Sequence, residues 1–229
     1  LPAAIDHVLK ETGAEKAHFG GHSMGGLVLS VALSEFDSLP IGRMVVVGTP
    51  MDFTDPDFSN AMLLRLGRLT GGVFGFLPSP IAARLHSRFG SPFPVDEMLF
   101  TDISSPVRER MYSEVVSPLF GREIRQLEFV TTRGMFLNES GNKSYLDSLR
   151  SVEQPTLVIA GRADRVAPPD RVFGFYDALG SQEKSFVIAG RATGFSVDYG
   201  HLDLPLGDRS KKEIFPLISD WLKGPQGLK

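Results

Sequence analysis

Ser23 lies in Gly21-His22-Ser23-Met24-Gly25-Gly26, where small residues flank a hydroxyl at the spacing G-x-S-x-G. That spacing suits a strand that turns sharply into a helix and lifts a serine clear of the sheet edge. In so tight a turn, a side chain at Gly21 or Gly25 is expected to collide with the neighbouring strand or helix. A serine hydroxyl attacks a carbonyl only when a base removes its proton, and an imidazole, titrating near neutrality, can take that proton and return it. A carboxylate on the far ring nitrogen fixes the tautomer and favours the imidazolium formed during attack. The backbone N–H of Met24, at the start of the helix, is placed to donate to the oxyanion. Cysteine is absent, which excludes disulfides, thiolate nucleophiles, zinc ribbons and iron–sulfur clusters.

Such a turn needs a strand before it and a helix after it. Lys16 to Gly21 is short and bounded by glycine, and Met24 to Phe36 carries Leu27, Val28, Val31, Ala32 and Leu33 as a helical apolar face. Ahead of them, Pro2 to Thr12 reads as an amphipathic helix that stops at Gly13. Met44 to Gly48, Pro155 to Gly161 and Ser185 to Ala189 are continuous apolar runs of the kind buried on both faces of a parallel sheet. Helical patterns at Asp170 to Leu179 and Lys211 to Leu222 complete a β-α-β-α alternation. The fold class is α/β, a doubly wound and mostly parallel sheet whose strand ends gather on one edge.

The motif Gly-His-Ser-Met-Gly-Gly, in this order of elements, resembles the α/β-hydrolase family, and the resemblance covers most of the chain outside residues 51–150. It implies that an acid follows the Pro155–Gly161 strand, and Gly161-Arg162-Ala163-Asp164-Arg165-Val166-Ala167-Pro168 looks like the family's acid loop, with Asp164 in the acid's place. It also implies a histidine after the last strand. His201 is the one histidine there, in Asp198-Tyr199-Gly200-His201-Leu202-Asp203-Leu204, which is similar to Gly-His-Leu-Asp stretches of lipases and polyester synthases of this fold. The order Ser, Asp, His matches the family. No cofactor is implied.

Rival readings stay open at this point. Asp52, just past the Met44–Gly48 strand, could be the acid, and Arg162 and Arg165 could pair with Asp164 structurally. Asp198, His201 and Asp203 could ligate a metal, although two carboxylates beside one loop histidine more often hydrogen-bond. His22 is more apt to line the site or pack than to act as a base, and His7, His18 and His86 have no identifiable partner.

About a hundred residues separate the second strand from the third, far beyond an ordinary connection. The expected organisation is therefore a core of residues 1–50 and 151–229, with 51–150 inserted as a helical cap. Ala61 to Leu69 and Ile81 to Phe89 look helical, and Phe53, Phe58, Phe74, Phe76, Phe89, Phe93 and Phe100 give the insert an apolar load. That load favours a small-molecule hydrophobic ester as substrate over sugars or phosphorylated compounds, with simple packing as the reading for most of those rings. The expected function is ester hydrolysis through an acyl-serine. Alternatives are acyl transfer or thioester cleavage at the same site, or ligand binding on a scaffold that no longer turns over. The polyester synthases it resembles use cysteine, so Ser23 weakens the synthase option. At a formal net charge of -3 with both signs interspersed, the 229 residues lack the field that nucleic acid requires, and no segment reaches the roughly twenty apolar residues of a spanning helix. By the resemblance, strands that normally precede the nucleophile strand and one oxyanion donor are missing from this sequence. An N-terminal portion of the same polypeptide is the expected partner for an open sheet edge at Lys16–Gly21.

Overall fold

The computed structural model describes residues 1–36, 38–54, 101–111, 114, 126 and 129–224. Helix α1 (Pro2–Thr12) begins with proline, whose missing N–H costs nothing in a first turn, and ends where Gly13 adopts φ 68° and donates its N–H to the Leu9 carbonyl at 2.9 Å. Strand β1 (Ala17–His22) leads through Ser23 into α2 (Met24–Glu35), and β2 (Ile41–Val47) follows. A short helix α3 (Ser105–Arg110) and the single turn α4 (Tyr145–Ser148) precede β3 (Thr156–Gly161). Then come α5 (Pro169–Ala178), β4 (Lys184–Ala189), the turn α6 (Asp203–Leu206) and α7 (Ser210–Lys223).

The four strands are parallel in the order β1-β2-β3-β4, with Gly21 beside Val46, Val46 beside Val158 and Val158 beside Phe186. Alternation along the two central strands splits the core into two layers. Met44, Val46, Val158 and Ala160 face Leu27, Leu29, Val172 and Phe175 on the α2 and α5 side. Val45, Val47, Leu157 and Ile159 face Ile214, Leu204 and Tyr199 on the α7 side. Each such fully buried aliphatic side chain contributes about 1.5–3 kcal/mol of transfer free energy, which is why β2 and β3 read as continuous apolar runs. Trp221 of α7 adds a donor, its Nε1 reaching the Met44 carbonyl at 3.0 Å under the Arg43 guanidinium.

Two expectations need refinement. Ser185–Ala189 is not buried on both faces: among the described residues β4 is an edge strand, half-buried except at Ala189. Met51, Phe53, Val130, Phe136 and Tyr145, from both ends of the expected insert, belong to the same core layer as α2 and β2. Phe53 packs there against Phe136, ring centroids 6.3 Å apart. The expected helices Ala61 to Leu69 and Ile81 to Phe89, and most of the phenylalanines singled out with them, lie outside the described residues.

Candidate active site

Among the described residues, Ser23 is the one non-glycine with positive φ, at φ 53° and ψ −117°. Such a conformation costs on the order of 1–3 kcal/mol and persists only when its surroundings hold it. Three hydrogen bonds do so: the Ser23 N–H donates to the Val47 carbonyl at 2.8 Å, while its own carbonyl accepts from Gly26 N–H at 3.0 Å and from the Thr49 hydroxyl at 2.9 Å. Glycine is required on steric grounds at two neighbouring positions. A Cβ on Gly21 would stand 2.9 Å from the backbone of Gly25 and Gly26, and one on Gly26 would stand 2.2 Å from Thr49 Oγ1. The expected collision at Gly25 is absent, since a Cβ there meets nothing within 4 Å. A side chain at Gly25 would enter open space, and Gly26 is the helix glycine whose missing side chain makes room, for Thr49 just past β2.

His201 sits in the loop before α6 and is 4% exposed. Its Nε2 is 2.9 Å from Ser23 Oγ and its Nδ1 2.8 Å from Asp164 Oδ2. The other carboxylate oxygen of Asp164 accepts from the Val166 and Ala167 amides at 2.8 and 2.7 Å, so the loop after β3 fixes the carboxylate's plane. Arg162 and Arg165 are exposed, and the Asp164 hydrogen bonds come from His201 and these two amides. Asp52 is placed elsewhere: its Oδ1 accepts from the Thr54 amide and hydroxyl, at 2.9 and 2.6 Å. Burial pushes the Asp52 carboxyl up, but the two Thr54 donors and nearby Arg171 outweigh it and leave the group below the usual carboxylate range. Met24 heads α2, so its N–H is among those without an intrahelical acceptor, and it follows Ser23 directly.

His22, expected to line the site or pack rather than act as a base, lies against His201. Its Nε2–H donates to the His201 carbonyl at 3.0 Å, and the two imidazoles stand 4.7 Å apart, tilted 45°. Burial, reinforced by repulsion from His201, pushes His22 down to about 4, which leaves it neutral at neutral pH. The residues weighed as metal ligands direct their oxygens at N–H and O–H donors: Asp198 Oδ1 accepts from Arg191 N–H at 2.9 Å, and Asp203 from Gly200 N–H and Thr101. His18 accepts from the Arg43 N–H at 2.9 Å, far from this cluster in the sheet, and His86 lies outside the described residues.

A family model described as alpha/beta hydrolase fold matches residues 1–206. Over 244 aligned positions the chain is 22% identical to the poly(3-hydroxyalkanoate) polymerase subunit PhaC of Haloferax mediterranei, covering 95% of this chain and 45% of that protein. It is 23% identical over 168 positions to a 2-hydroxy-6-oxononadienedioate/2-hydroxy-6-oxononatrienedioate hydrolase of a Pseudomonas species, covering 73% of this chain and 53% of the hydrolase. The chain thus spans about half the length of the curated relatives it matches. In solved structures the fold is similar to a monoacylglycerol lipase of Paleococcus ferrophilus (TM-score 0.57, 17% identity, 96% of this chain and 72% of that one). It is similar also to an esterase of Exiguobacterium antarcticum (TM-score 0.58, 15% identity, 96% and 72%).

Proposed function

Because the chain belongs to the α/β-hydrolase fold family, we propose that it is the catalytic part of a serine hydrolase that cleaves carboxylic esters with hydrophobic acyl groups. The observation that carries this is the continuous path from Ser23 Oγ through the His201 ring to Asp164, with contacts of 2.9 and 2.8 Å. In the proposed cycle His201 Nε2 accepts the Ser23 proton as Oγ attacks the ester carbonyl, Asp164 stabilises the imidazolium, and the Met24 N–H donates to the oxyanion. Collapse breaks the bond to the alkoxy group, which leaves with the proton from His201. Water, activated by the same imidazole, then releases the acid. No step calls for a metal or cofactor.

The acyl preference rests on residue types: the phenylalanine- and leucine-rich 51–150 region, and the apolar Met24 and Val28, both about half exposed on the first turns of α2. The match to the polymerase subunit across 95% of this chain favours a second reading, transfer of the acyl group to an alcohol or thiol. The proposed partner is an N-terminal portion of the same polypeptide seated against β1, which pairs on one side only among the described residues.

The test is labelling by a fluorophosphonate probe together with hydrolysis of p-nitrophenyl esters. Labelling and turnover abolished in Ser23→Ala, with turnover rising with acyl length, are expected. Hydrolysis undiminished in Ser23→Ala overturns the proposal, and ester products formed when an alcohol is added distinguish transfer from hydrolysis.

A further inference from the structure

We propose that Asp203 is a positioning residue that holds the His201 main chain in register with Ser23, an inference that rests on the serine-hydrolase reading above. Asp203 is wholly buried, and its donors are neutral. Oδ2 accepts from the Gly200 amide at 2.7 Å, the Thr101 amide at 2.7 Å and the Thr101 hydroxyl at 2.5 Å, and Oδ1 accepts from the Asp102 amide at 3.1 Å. The first of these is the amide immediately before His201. The others come from residues about a hundred positions earlier, so one carboxylate joins two distant stretches of backbone.

The main chain around His201 is held at three successive points. The Tyr199 carbonyl accepts from Ala163 N–H at 2.9 Å, the Gly200 amide donates to Asp203, and the His201 carbonyl accepts from His22 Nε2 at 3.0 Å. Two of these anchors lie next to other parts of the site, on the acid loop and beside the nucleophile. Asp203 is the anchor that ties the histidine loop to Thr101–Ser104. Around it the same two stretches meet again, through the Arg209–Asp102 ion pair, the Asp208 amide on the Asp102 carbonyl at 3.3 Å and the Ser104 hydroxyl on Asp208 at 3.1 Å. A carboxylate suits this junction because it accepts in every direction. An amide of the same shape must turn its NH₂ toward one set of donors and leave those unpaired.

Asp203→Asn should keep the volume and loosen the register of His201. A displacement of about 1 Å in a catalytic group lowers turnover by up to about a hundredfold, so kcat should fall by about ten- to a hundredfold with KM unchanged. Thr101→Val removes one hydroxyl, leaves the Thr101 amide bond in place and should act in the same direction more weakly. The hydroxyl has one hydrogen for two acceptors, Asp203 Oδ2 and the Asp198 carbonyl at 2.7 Å. Measurement is made on the folded fraction, fixed by urea titration, and is paired with the proton resonance of the imidazole N–H shared by His201 and Asp164. Positioning predicts that this resonance exchanges faster in both variants. If both keep wild-type kcat and a wild-type resonance while only the unfolding midpoint drops, Asp203 is a packing residue and the inference fails. A wild type that turns over no ester overturns the serine-hydrolase reading instead, and the resonance still decides the role of Asp203.

Discussion

Alanine placed at each of the three glycines around Ser23 separates what the motif requires from what it merely contains. On Gly21 the new Cβ is 2.8 Å from Phe19 Cε1 and 2.9 Å from backbone atoms of Gly25 and Gly26, and backbone cannot swing aside. Overpacking of that kind costs about 1–3 kcal/mol, with the rigid neighbours pointing to the upper end. On Gly26 the clash is with Thr49, at 2.2 Å from Oγ1 and 2.8 Å from Cβ and Cγ2, and turning Thr49 away also breaks its bond to the Ser23 carbonyl. Adding a lost hydrogen bond of about 1 kcal/mol brings Gly26→Ala to about 2–4 kcal/mol. Gly25→Ala enters open space on a helix, where alanine is favoured over glycine by up to about 1 kcal/mol. Urea unfolding midpoints for the three variants should therefore rank Gly25→Ala at or above wild type and the other two well below it. Thr49→Gly removes every atom that Gly26→Ala strikes, so the double variant should be more stable than Gly26→Ala alone although Thr49→Gly is destabilising by itself. Gly25→Ala as damaging as Gly21→Ala, or strict additivity of the Gly26 and Thr49 changes, would refute the packing argument.

Asp164→Asn should leave the fold intact and lower kcat by about 10⁴, because an amide at Nδ1 selects the wrong tautomer, whereas Asp52→Asn should stay near wild type; ester kinetics on both decide between the two acids. His22, held at about 4 when folded against 6.5 in its ordinary state, is neutral in the folded protein at pH values where the unfolded chain already binds a proton. Its contribution is therefore present above pH 6.5 and is lost as pH falls toward 4, an effect on the order of 3 kcal/mol that His22→Gln should flatten in urea titrations across that window. On the proposal that an N-terminal portion covers the edge of β1 left unpaired among the described residues, with the groove that His18 forms with Phe215, Ile218 and Leu222 beside it, these residues alone should self-associate in sedimentation and a longer polypeptide should not.

The central strands were legible because burial on both faces leaves an unbroken apolar run, as in Met44 to Val47 and Thr156 to Gly161. β4 was over-read for the same reason: an apolar run does not say whether a neighbour covers its second side. Of the site, Ser23 could be read from the G-x-S-x-G spacing between strand and helix, whereas Asp164 and His201 were placed by the resemblance to the family rather than by any pattern of their own. The choice between Asp164 and Asp52 could not be read from the residues, since each follows a strand and only distance and competing donors separate them. The contact of Asp203 with Thr101 spans 102 positions and has no local pattern to announce it. The hydrogen bond of His22 is made to a backbone carbonyl, which carries no side-chain signature at all.

In the proposed mechanism a second imidazole beside His201 raises a problem of charge that the burial of His22 resolves. In the proposed cycle His201 becomes a cation on taking the Ser23 proton, and among the described residues its counter-charge is Asp164, held by two amides so that it cannot turn away. Were His22 also protonated, two unit charges would stand about 4.7 Å apart, and at an effective dielectric constant of about 20 their repulsion is about 3–4 kcal/mol. That would offset most of what a well-placed carboxylate supplies to the imidazolium, and the base would lose its reach at the moment of attack. Burial that keeps His22 neutral removes the repulsion and leaves its Nε2–H as a donor to the His201 carbonyl. A charged residue of the same length could make that hydrogen bond only by restoring the repulsion. His22→Lys should therefore slow Ser23 labelling far more than His22→Gln, and equal rates for the two would show that charge at this position is immaterial.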